Sequence, residues 1–301
     1  MQVKKVVDTP AIPHVEQAGD ALAAYIARHP KLWVITGAGV STDSGIPDYR
    51  DAAGQWKRSP PVQHGDFMAS NSVRKRYWAR ALVGFKALSE AQVSGAHRAL
   101  AALEAMGYVE LLVTQNVDRL HQRAGSRRVI DLHGRADLVK CMGCGYQLMR
   151  HAMHAEMARM NPEFAALNAQ HAPDGDADLE TDFNAFQVMD CPRCGGILKP
   201  DVVYYGDVVP PARRIAAEAG LSRAQGVLCV GTSLMVFSGY RFCRAAHEAG
   251  LPLASLSLGV TRADALLSHQ WRAPLTPVLE RAVHVLEDHH HGTPWRLPSE
   301  T

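Results

Sequence analysis

WVITGAGVSTDSGIPDYRD, residues 33–51, begins as an apolar run typical of a strand and then turns through Gly37, Ala38 and Gly39. Glycines at such a turn let backbone amides approach a pyrophosphate closely. The glycine pair alone is weak evidence, because most such pairs in proteins are ordinary turns. The third glycine and the acidic residue at the end of the second strand, which complete the fingerprint of hydride-transferring enzymes, are missing. The stretch therefore predicts a nucleotide site that differs from that of a conventional dehydrogenase.

The length and composition are those of a folded, nearly neutral chain. Its 301 residues suit one large domain with an inserted module, or two small domains. With 47% hydrophobic and 21% charged residues it can bury a proper core, which argues against global disorder. The formal net charge of +2 is too small to indicate nucleic acid or an anionic membrane as a partner.

Two features bear on where the protein works. Residues 1–20 lack the apolar core of a secretory signal, and no apolar run reaches the roughly 20 residues of a membrane span. Four of the six cysteines form two Cys-x-x-Cys pairs, which without an export signal favours metal binding over disulfides. We therefore expect a cytoplasmic protein with no membrane partner.

Short apolar runs alternate with helical patterns along most of the chain. Residues 95–107 and 240–250 have helical spacing, and the predicted strands are residues 31–36, 109–114, 128–132, 226–231, 252–258 and 282–287. The nearly continuous apolar character of these strands predicts burial on both faces. The predicted fold class is therefore α/β, with a Rossmann-type doubly wound parallel sheet.

Two segments interrupt this alternation. Residues 59–94 are aromatic-rich and mostly helical, and residues 137–199 hold the cysteine pairs around a Met/Ala-rich helix. We therefore predict a discontinuous Rossmann-type domain, a helical insertion, a small module and a tail. Their ranges are, respectively, 1–58 with 95–136 and 200–290; 59–94; 137–199; and 291–301.

Three polar loops follow predicted strands at the sheet edge where open parallel sheets bind ligands. They contain, in chain order, Gln115, Asn116 and Asp118; His133; and Gly231, Thr232 and Ser233. The first loop could also simply cap the next helix, and a lone histidine is more often structural than catalytic. Because all three loops meet at one edge, we predict a cleft in which His133 is a base, since the ordinary pKa of histidine lies near neutrality.

The cysteine pairs are the strongest structural signal in the chain. Cys141 and Cys144 form one knuckle, and Cys191 and Cys194 form the other, each followed by glycine. Four thiolates are the set typical of structural zinc, which leaves no open position for a metal-bound water. A redox dithiol is the minor alternative. Two nearby histidines, His151 and His154, are expected on an exposed helical face rather than on the metal.

Together these residues resemble the sirtuins, a family of NAD-dependent protein deacylases. The matching stretches, in the family's order, are GAGVSTDSGIPDYR, TQNVDRLHQRAG, LHG, the two Cys-x-x-Cys pairs, GGILKPDVVYYGD and VGTSLMVFSGYR. The stretches QHGDF, RYWAR and APDGD are most similar to the class II branch of the family. The resemblance implies a large Rossmann-type domain and a small four-cysteine zinc module with a cleft between them.

The resemblance also implies NAD as co-substrate and one structural zinc ion. In sirtuin chemistry the acyl-lysine carbonyl oxygen attacks the anomeric ribose carbon as nicotinamide leaves, and the acyl group ends on ADP-ribose. His133 would be the general base, with Gln115 and Asn116 holding ribose and water. The residues implied on NAD are Gly37, Ala38, Gly39, Ser41, Asp48, Tyr49, Arg50, Gln115, Asn116, Asp118, Gly231, Thr232, Ser233, Ser257 and Gly259. Ser257 departs from the family pattern, in which asparagine is common.

The resemblance further implies that an extended acyl-lysine peptide pairs between two edges, residues 203–206 and 236–239. The residues singled out there are Val203, Tyr204, Val236, Phe237 and Gly239. Tyr77 and Arg80 lie one helical turn apart, and a Tyr-x-x-Arg in this region holds acidic acyl groups in the desuccinylating branch. We therefore hypothesise a preference for acyl chains ending in carboxylate. The alternative is a surface helix with a solvated Arg80.

Three other functions are alternatives to the deacylase hypothesis. Protein ADP-ribosyl transfer would use the same site, since it shares the departure of nicotinamide. A dehydrogenase is disfavoured by the incomplete fingerprint, and a zinc-ribbon binding module by the near-neutral charge. The expected partners are acyl-lysine proteins or peptides, not nucleic acid, and we expect a monomer.

Overall fold

The computed structural model describes residues 15–57 and 61–290, so the predicted tail 291–301 and the first fourteen residues lie outside the described part. The strands are β1 (Leu32–Thr36), β2 (Val109–Thr114), β3 (Val129–Asp131), β4 (Gly134–Cys141), β5 (Gln147–Met149), β6 (Gln170–Ala172), β7 (Asp176–Asp178), β8 (Leu198–Val202), β9 (Gly226–Val230), β10 (Leu253–Leu256) and β11 (His269–Trp271). The helices are α1 (Val15–Arg28), α2 (His64–Ala69), α3 (Asn71–Glu90), α4 (Gly95–Ala105), α5 (Leu120–Arg123), α6 (Arg150–Met160), α7 (Pro162–Ala165), α8 (Pro211–Leu221), α9 (Phe237–Glu248) and α10 (Leu275–His290).

A six-stranded sheet in the order β11-β10-β9-β1-β2-β3 organises the large domain, and its neighbouring strands pair in parallel. This confirms the predicted doubly wound parallel sheet. Side chains of β1 alternate between two apolar cores: Leu32 and Val34 face α1, α4 and α10, whereas Trp33 and Ile35 face α8 and α9. Because both faces are covered, the strands read as continuous apolar runs. The chain reverses its direction of growth between β1 and β9, which puts a ligand crevice at their carboxyl ends.

One predicted strand is wrong. Residues 282–287 belong to helix α10. Val278, Leu279, Ala282 and Leu286 are all buried in the core that α10 shares with α1 and α4, and their spacing follows one helical face. Four of the six residues in the short window AVHVLE are apolar and two of them are β-branched, which imitates a buried strand. The true edge strand is β11, whose short sequence His269–Trp271 gives almost no apolar signal.

The cysteine module is built on a three-stranded antiparallel sheet in the order β5-β4-β8, with α6 and α7 packed on it. Strand β4 starts directly after His133, so continuous backbone joins the module to the carboxyl-end edge of the large sheet. Two predicted boundaries, at 136/137 and 199/200, fall inside β4 and β8.

Helices α2 and α3 occupy the predicted helical insertion. Ser70 caps α3, since its hydroxyl accepts the backbone N–H of Val73 at 3.4 Å. Trp78, on the buried side of α3, lies in the same apolar core as Phe164 and Val139 of the cysteine module. The hairpin of β6 and β7 packs on the same helix. Of the helices in the described ranges, none combines the length and apolar character that a bilayer crossing requires.

Candidate active site

The carboxyl ends of β1, β2, β9 and β10 open onto a cleft of about 1300 Å³ between the large sheet and the cysteine module. That volume exceeds the roughly 300–1,000 Å³ of a typical small-molecule pocket, so the cleft has room for a dinucleotide and part of a second substrate. It is lined by all the residues predicted to contact NAD, by His133, and by the predicted substrate residues other than Gly239. The three polar loops predicted from sequence therefore do meet.

The glycine turn packs directly against the loop after β9. Gly39 N–H donates to Gly231 O at 2.9 Å, and a Cβ on Gly39 would lie 2.9 Å from the Cα of Gly231. Gly231 itself has a φ of 58°, the left-handed region that favours glycine. The glycines are thus required in part by the contact between two loops, which draws both backbones to the bottom of the crevice.

His133 is held by hydrogen bonds at both ring nitrogens. Nδ1 lies 3.1 Å from Gln115 O, and Nε2 lies 2.7 Å from Ser238 Oγ. A carbonyl oxygen only accepts, so Nδ1 carries the proton and Nε2 has the free lone pair. Burial lowers the pKa of His133 to about 4. The hydrogen bond to Gln115 raises this pKa, whereas the positive charge of Arg213 lowers it further. The imidazole is therefore neutral at physiological pH, with its basic nitrogen turned to the cleft-lining Ser238.

A hydrogen-bonded chain links the next three polar residues of this edge. Asn116 Nδ2 donates to Gly37 O and to Ser41 Oγ, each at 3.0 Å. Ser41 Oγ in turn donates to Asp118 Oδ2 at 2.7 Å. The other carboxylate oxygen of Asp118 accepts the N–H of Leu120, the first residue of α5, at 2.9 Å, although the N-cap position itself is Arg119. Burial raises the pKa of the Asp118 carboxyl above its usual range.

Below this chain lies a pair of buried histidines that sequence reasoning missed. The rings of His97 and His121 are 4.7 Å apart, and His121 Nε2 lies 2.9 Å from Thr36 Oγ1. His97 stands at the third position of α4 and forms a capping box with Ser94. Burial lowers the pKa of His97 to about 4 and that of His121 well below its usual value. Both are therefore neutral supports of the site, and the Ser-x-x-His start of α4 was their only sequence signal.

We expect these histidines to make the fold acid-sensitive between pH 6.5 and 4. Across that window the unfolded chain binds protons that folded His97 excludes, so the free energy of unfolding falls as the pH is lowered. The loss attributable to His97 is roughly 2 kcal/mol at pH 5. Urea unfolding at pH 7.5 and pH 5 measures it, with His97→Gln as the non-titrating control. Equal pH dependence in the wild type and the control would contradict this assignment.

The loop that carries Asp48, Tyr49 and Arg50, three of the residues predicted to contact NAD, is held closed by its own side chains. Arg50 stacks on Trp56 with 3.8 Å between Cζ and the ring centroid, and its Nη1 donates to Gly54 O at 2.8 Å. Asp48 pairs with Lys57 Nζ at 2.5 Å. The contact of Asp48, Tyr49 and Arg50 with NAD stays a prediction.

Ser257, which differs from the asparagine common in the family pattern, forms a hydrogen bond within its own loop. Ser257 Oγ accepts Gly259 N–H at 3.4 Å, which folds this loop toward the cleft. A Cβ on Gly259 would lie 2.7 Å from Ala52 O, so glycine is needed for the loop to approach its neighbour. The serine hydroxyl thus remains in the cleft wall, where asparagine is common in the family.

The two expected peptide edges differ from each other in the structure. Val203 N–H donates to His133 O at 2.8 Å, which ties the first edge to His133. Val236 is extended, but Phe237 and Gly239 form the first turn of α9, so the second edge is shorter than expected. A Cβ on Gly239 would lie 2.7 Å from Gln115 Oε1, which places this glycine behind the cleft rather than in its wall.

Arg80 is neither solvated nor free. Its Nε and Nη2 donate to the two carboxylate oxygens of Asp176 at 2.9 and 2.7 Å, and its side chain is only 20% exposed. Tyr77, the other residue of the Tyr-x-x-Arg pair, packs against Phe67 and Tyr204 with ring centroids 5.3 and 5.6 Å away. A substrate carboxylate would have to displace Asp176 to reach Arg80.

The four predicted metal ligands meet, with their sulfur atoms all within 4.8 Å of one another. Cys141 and Cys194 are 3.5 Å apart, and Cys144 and Cys191 are 3.7 Å apart. Zinc–sulfur bonds of about 2.3 Å in a tetrahedron require sulfur atoms about 3.8 Å apart, so the set fits zinc. The backbone N–H groups of Gly143 and Cys144 each lie 3.4 Å from Cys141 Sγ, as expected around a thiolate.

The histidines near this set differ from the expectation of an exposed face. His151 is exposed, but His154 is half-buried, with its ring 4.9 Å from that of Phe85. His154 Nε2 accepts Arg150 Nε–H at 3.1 Å. Burial, together with the Arg150 charge, lowers the pKa of His154 to about 2. His154 is therefore a neutral side chain of the module core, and it is not a metal ligand.

Comparison with known proteins agrees with this geometry. Residues 37–238 match the Sir2 family. An "NAD-dependent protein deacetylase" of Xanthomonas campestris is 56% identical over 255 residues, covering 84% of this chain and 87% of the relative. "NAD-dependent protein deacetylase 2" of Bradyrhizobium diazoefficiens is 54% identical over 252 residues, covering 83% and 92%. The solved structure "Sir2-p53 peptide-NAD+" is 26% identical and superimposes with a TM-score of 0.70, covering 90% of this chain and 98% of that one.

The matched segment runs from the glycine turn to the Ser238 partner of the buried histidine and includes the four cysteines. The extent of the match, and identities of 56% and 54% with relatives covered to 87% and 92% of their length, establish the family. This chain therefore belongs to the Sir2, or sirtuin, family.

Proposed function

We propose that the protein is an NAD-dependent protein lysine deacylase that cleaves nicotinamide from NAD and passes the acyl group of a modified lysine to ADP-ribose. The observation that carries this is His133, neutral and fixed in one tautomer, at the sheet edge that also holds the glycine turn. The names of the relatives and the NAD and peptide in a structural neighbour support it. NAD, when bound, supplies a ribose carbon from which nicotinamide departs.

His133 is the general base. Its Nδ1–H is committed to Gln115 O, so only Nε2 receives a proton. In the protein without substrates the hydroxyl of Ser238 donates to that lone pair, with 2.7 Å between Oγ and Nε2. A ribose hydroxyl takes the place of Ser238 when the substrates bind, and the imidazolium formed next is stabilised by the same carbonyl.

Gln115 and Asn116 position the reacting groups. Gln115 Nε2 donates to Thr36 O at 3.1 Å and to Thr232 Oγ1 at 2.8 Å, which fixes it between the β1 and β9 loops. Asn116 is fixed by the glycine turn and Ser41. Asp118, at the end of this chain, meets the carboxamide of nicotinamide. Preorganised donors of this kind are effective because they need no rearrangement during the reaction.

The four-cysteine set serves folding rather than chemistry. With all four tetrahedral positions taken by thiolates, zinc has no site for water or substrate. The ion would anchor β4 and β8, the strands that connect the module to His133 and to the first peptide edge. A bound ion would therefore help to maintain one wall of the cleft.

The lowered pKa of His133 predicts that kcat/KM stays high at acidic pH. A base must be unprotonated, so kcat/KM rises with pH through the pKa of the free enzyme. With that pKa at about 4, the His133 contribution falls by less than about twofold between pH 7 and 5. Initial rates after brief transfer to each pH measure it. A tenfold fall by pH 5.5 would show an ordinary histidine pKa instead.

Product identification tests the proposal. Wild-type protein is incubated with NAD and an acetyl-lysine peptide, and mass spectrometry is used to look for O-acetyl-ADP-ribose. ADP-ribosylated peptide or protein without that product would indicate ADP-ribosyl transfer, which the names of the relatives do not favour. Formation of reduced nicotinamide would indicate a dehydrogenase.

The remaining assignments concern branch, location and assembly. We assign the chain to the class II branch on the stretches QHGDF, RYWAR and APDGD. None of the described cysteines forms a disulfide, which supports a reducing compartment such as the cytoplasm. The net charge of +2 supports protein substrates rather than nucleic acid or membranes. We take the protein to be a monomer, which light scattering would test.

A further inference from the structure

The wall of the cleft between α3 and α6 contains two arginines in opposite electrostatic situations. Arg80, on α3, is neutralised by Asp176 through two hydrogen bonds. Arg150, the first residue of α6, also lines the cleft but is only 1% exposed. Arg80 is half-buried and has a carboxylate partner, whereas Arg150 is fully buried, so the charge of Arg150 requires an explanation.

The partners of Arg150 are all neutral. Its Nη1 donates to Ala136 O at 3.2 Å and its Nε to His154 Nε2 at 3.1 Å. The guanidinium carbon lies 4.3 Å from the ring centroid of Phe85 and 5.6 Å from that of Trp78. Within residues 15–57 and 61–290, no group accepts a hydrogen bond from the third nitrogen, Nη2. Arg150 is thus a buried cation with an unused pair of N–H donors.

Burying the Arg150 guanidinium in this way is energetically unfavourable unless a ligand supplies a counter-ion and a hydrogen-bond acceptor. A buried charge needs a counter-ion, and an unsatisfied buried donor loses the hydrogen bonds that water would give it. A carboxylate supplies both, because it carries a negative charge and accepts the paired N–H groups of a guanidinium. The neighbouring rings of Phe85 and Trp78 lower the local dielectric constant, which strengthens the attraction.

Arg150 contacts the chain segment that directly follows His133, and both residues line the same cleft. Ala136, whose carbonyl accepts the hydrogen bond from Arg150, lies in β4 and is the third residue after His133. The Cα atoms of His133 and Ala136 are therefore at most roughly 10 Å apart. A lysine whose acyl carbonyl faces the reaction centre next to His133 would direct the rest of its acyl group into the same cleft.

We propose that Arg150 binds the terminal carboxylate of an acyl group on the substrate lysine, so that the protein prefers acyl chains that end in a carboxylate. This inference rests on the proposed deacylase function and adds the acyl class and its recognising residue. It differs from the Tyr-x-x-Arg hypothesis, because Arg80 is engaged by Asp176. The role of Arg80 is to position the β6–β7 hairpin, which packs so tightly on α3 that a Cβ on Gly84 would lie 2.1 Å from Asp176 O.

Three peptides of one sequence and four proteins test the proposal. The lysine carries an acetyl group, a glutaryl group, or glutaramyl, its uncharged terminal amide. The proteins are the wild type, Arg150→Gln, the charge-retaining Arg150→Lys, and Arg80→Gln as the matched control from the same wall. The quantity compared is the ratio of kcat/KM for the glutaryl peptide to that for the glutaramyl peptide.

We expect the wild type to favour glutaryl by about tenfold or more, the scale of a charge-assisted hydrogen bond. Arg150→Gln should remove most of that preference, Arg150→Lys should retain part of it, and Arg80→Gln should leave the ratio within about threefold. A wild type that shows no preference overturns the proposal without needing any variant to fold. Loss of preference in Arg80→Gln but not in Arg150→Gln would assign recognition to Arg80. If the acetyl peptide is turned over with nicotinamide release and glutaryl is not favoured, only this inference fails. If no peptide is turned over, the proposed function fails with it.

Discussion

Replacement of His133 by alanine is expected to lower kcat by about 10²–10⁴-fold, the range for loss of a positioned general base. The structure gives the reason. His133 is the group at the sheet edge whose tautomer is fixed by a backbone carbonyl, and whose basic nitrogen lies in the cleft beside Ser238. Steady-state deacylation of an acetyl-lysine peptide measures the effect.

The control is His151→Ala, which removes an exposed imidazole from α6 and should leave kcat within about twofold. Far-UV circular dichroism and zinc content show whether each variant is folded. Should His133→Ala retain more than a tenth of the wild-type kcat while folded, another group must be the base.

Loss of the metal is expected to have the largest effect on stability. Structural zinc contributes about 10–16 kcal/mol of apparent binding free energy in small zinc domains, which is comparable with the roughly 5–15 kcal/mol that stabilises a whole protein. Cys144→Ser should therefore abolish binding of one zinc ion per chain, lower the Tm sharply and eliminate deacylation. Elemental analysis, thermal scans and activity assays report the three effects.

Cys243→Ala is the matched control, because this thiol is buried beside Cys229 in the core between the sheet and α9, outside the four-cysteine set. It should keep the zinc at some cost in Tm. Full zinc occupancy in Cys144→Ser, or unchanged Tm after chelation of the metal, would show that the ion does not hold the module together.

The sequence was informative where a local pattern has one physical explanation. Apolar runs bounded by glycine turns predicted β1, β2, β3, β9 and β10, because strands covered on both faces admit few polar residues. Polar residues directly after those strands had to meet at one edge of a parallel sheet, and they do. The paired cysteines predicted the four-thiolate cluster, since few other arrangements account for two such knuckles.

Prediction failed where the determining contacts are distant in sequence. The window 282–287 reads as a strand until its buried residues are placed on α10 against α1 and α4. The pairing of Arg80 with Asp176 could not be foreseen, because the two residues are 96 positions apart. The hydrogen bond between His133 and Ser238 spans 105 residues, and the burial of His154 depends on Phe85. Pairings of this kind are settled by tertiary packing and leave no periodicity to detect.

The central claim is that NAD and a modified lysine react together in the cleft beside His133. The most direct test follows nicotinamide release and peptide deacetylation in the same wild-type reaction. We predict equal amounts of both products at every time point, no deacetylation without NAD, and neither product with His133→Ala above about a hundredth of the wild-type rate. Deacetylation at an unchanged rate without NAD, or a zinc-loaded, folded protein that releases no nicotinamide with the acetyl-lysine peptide, would contradict the account.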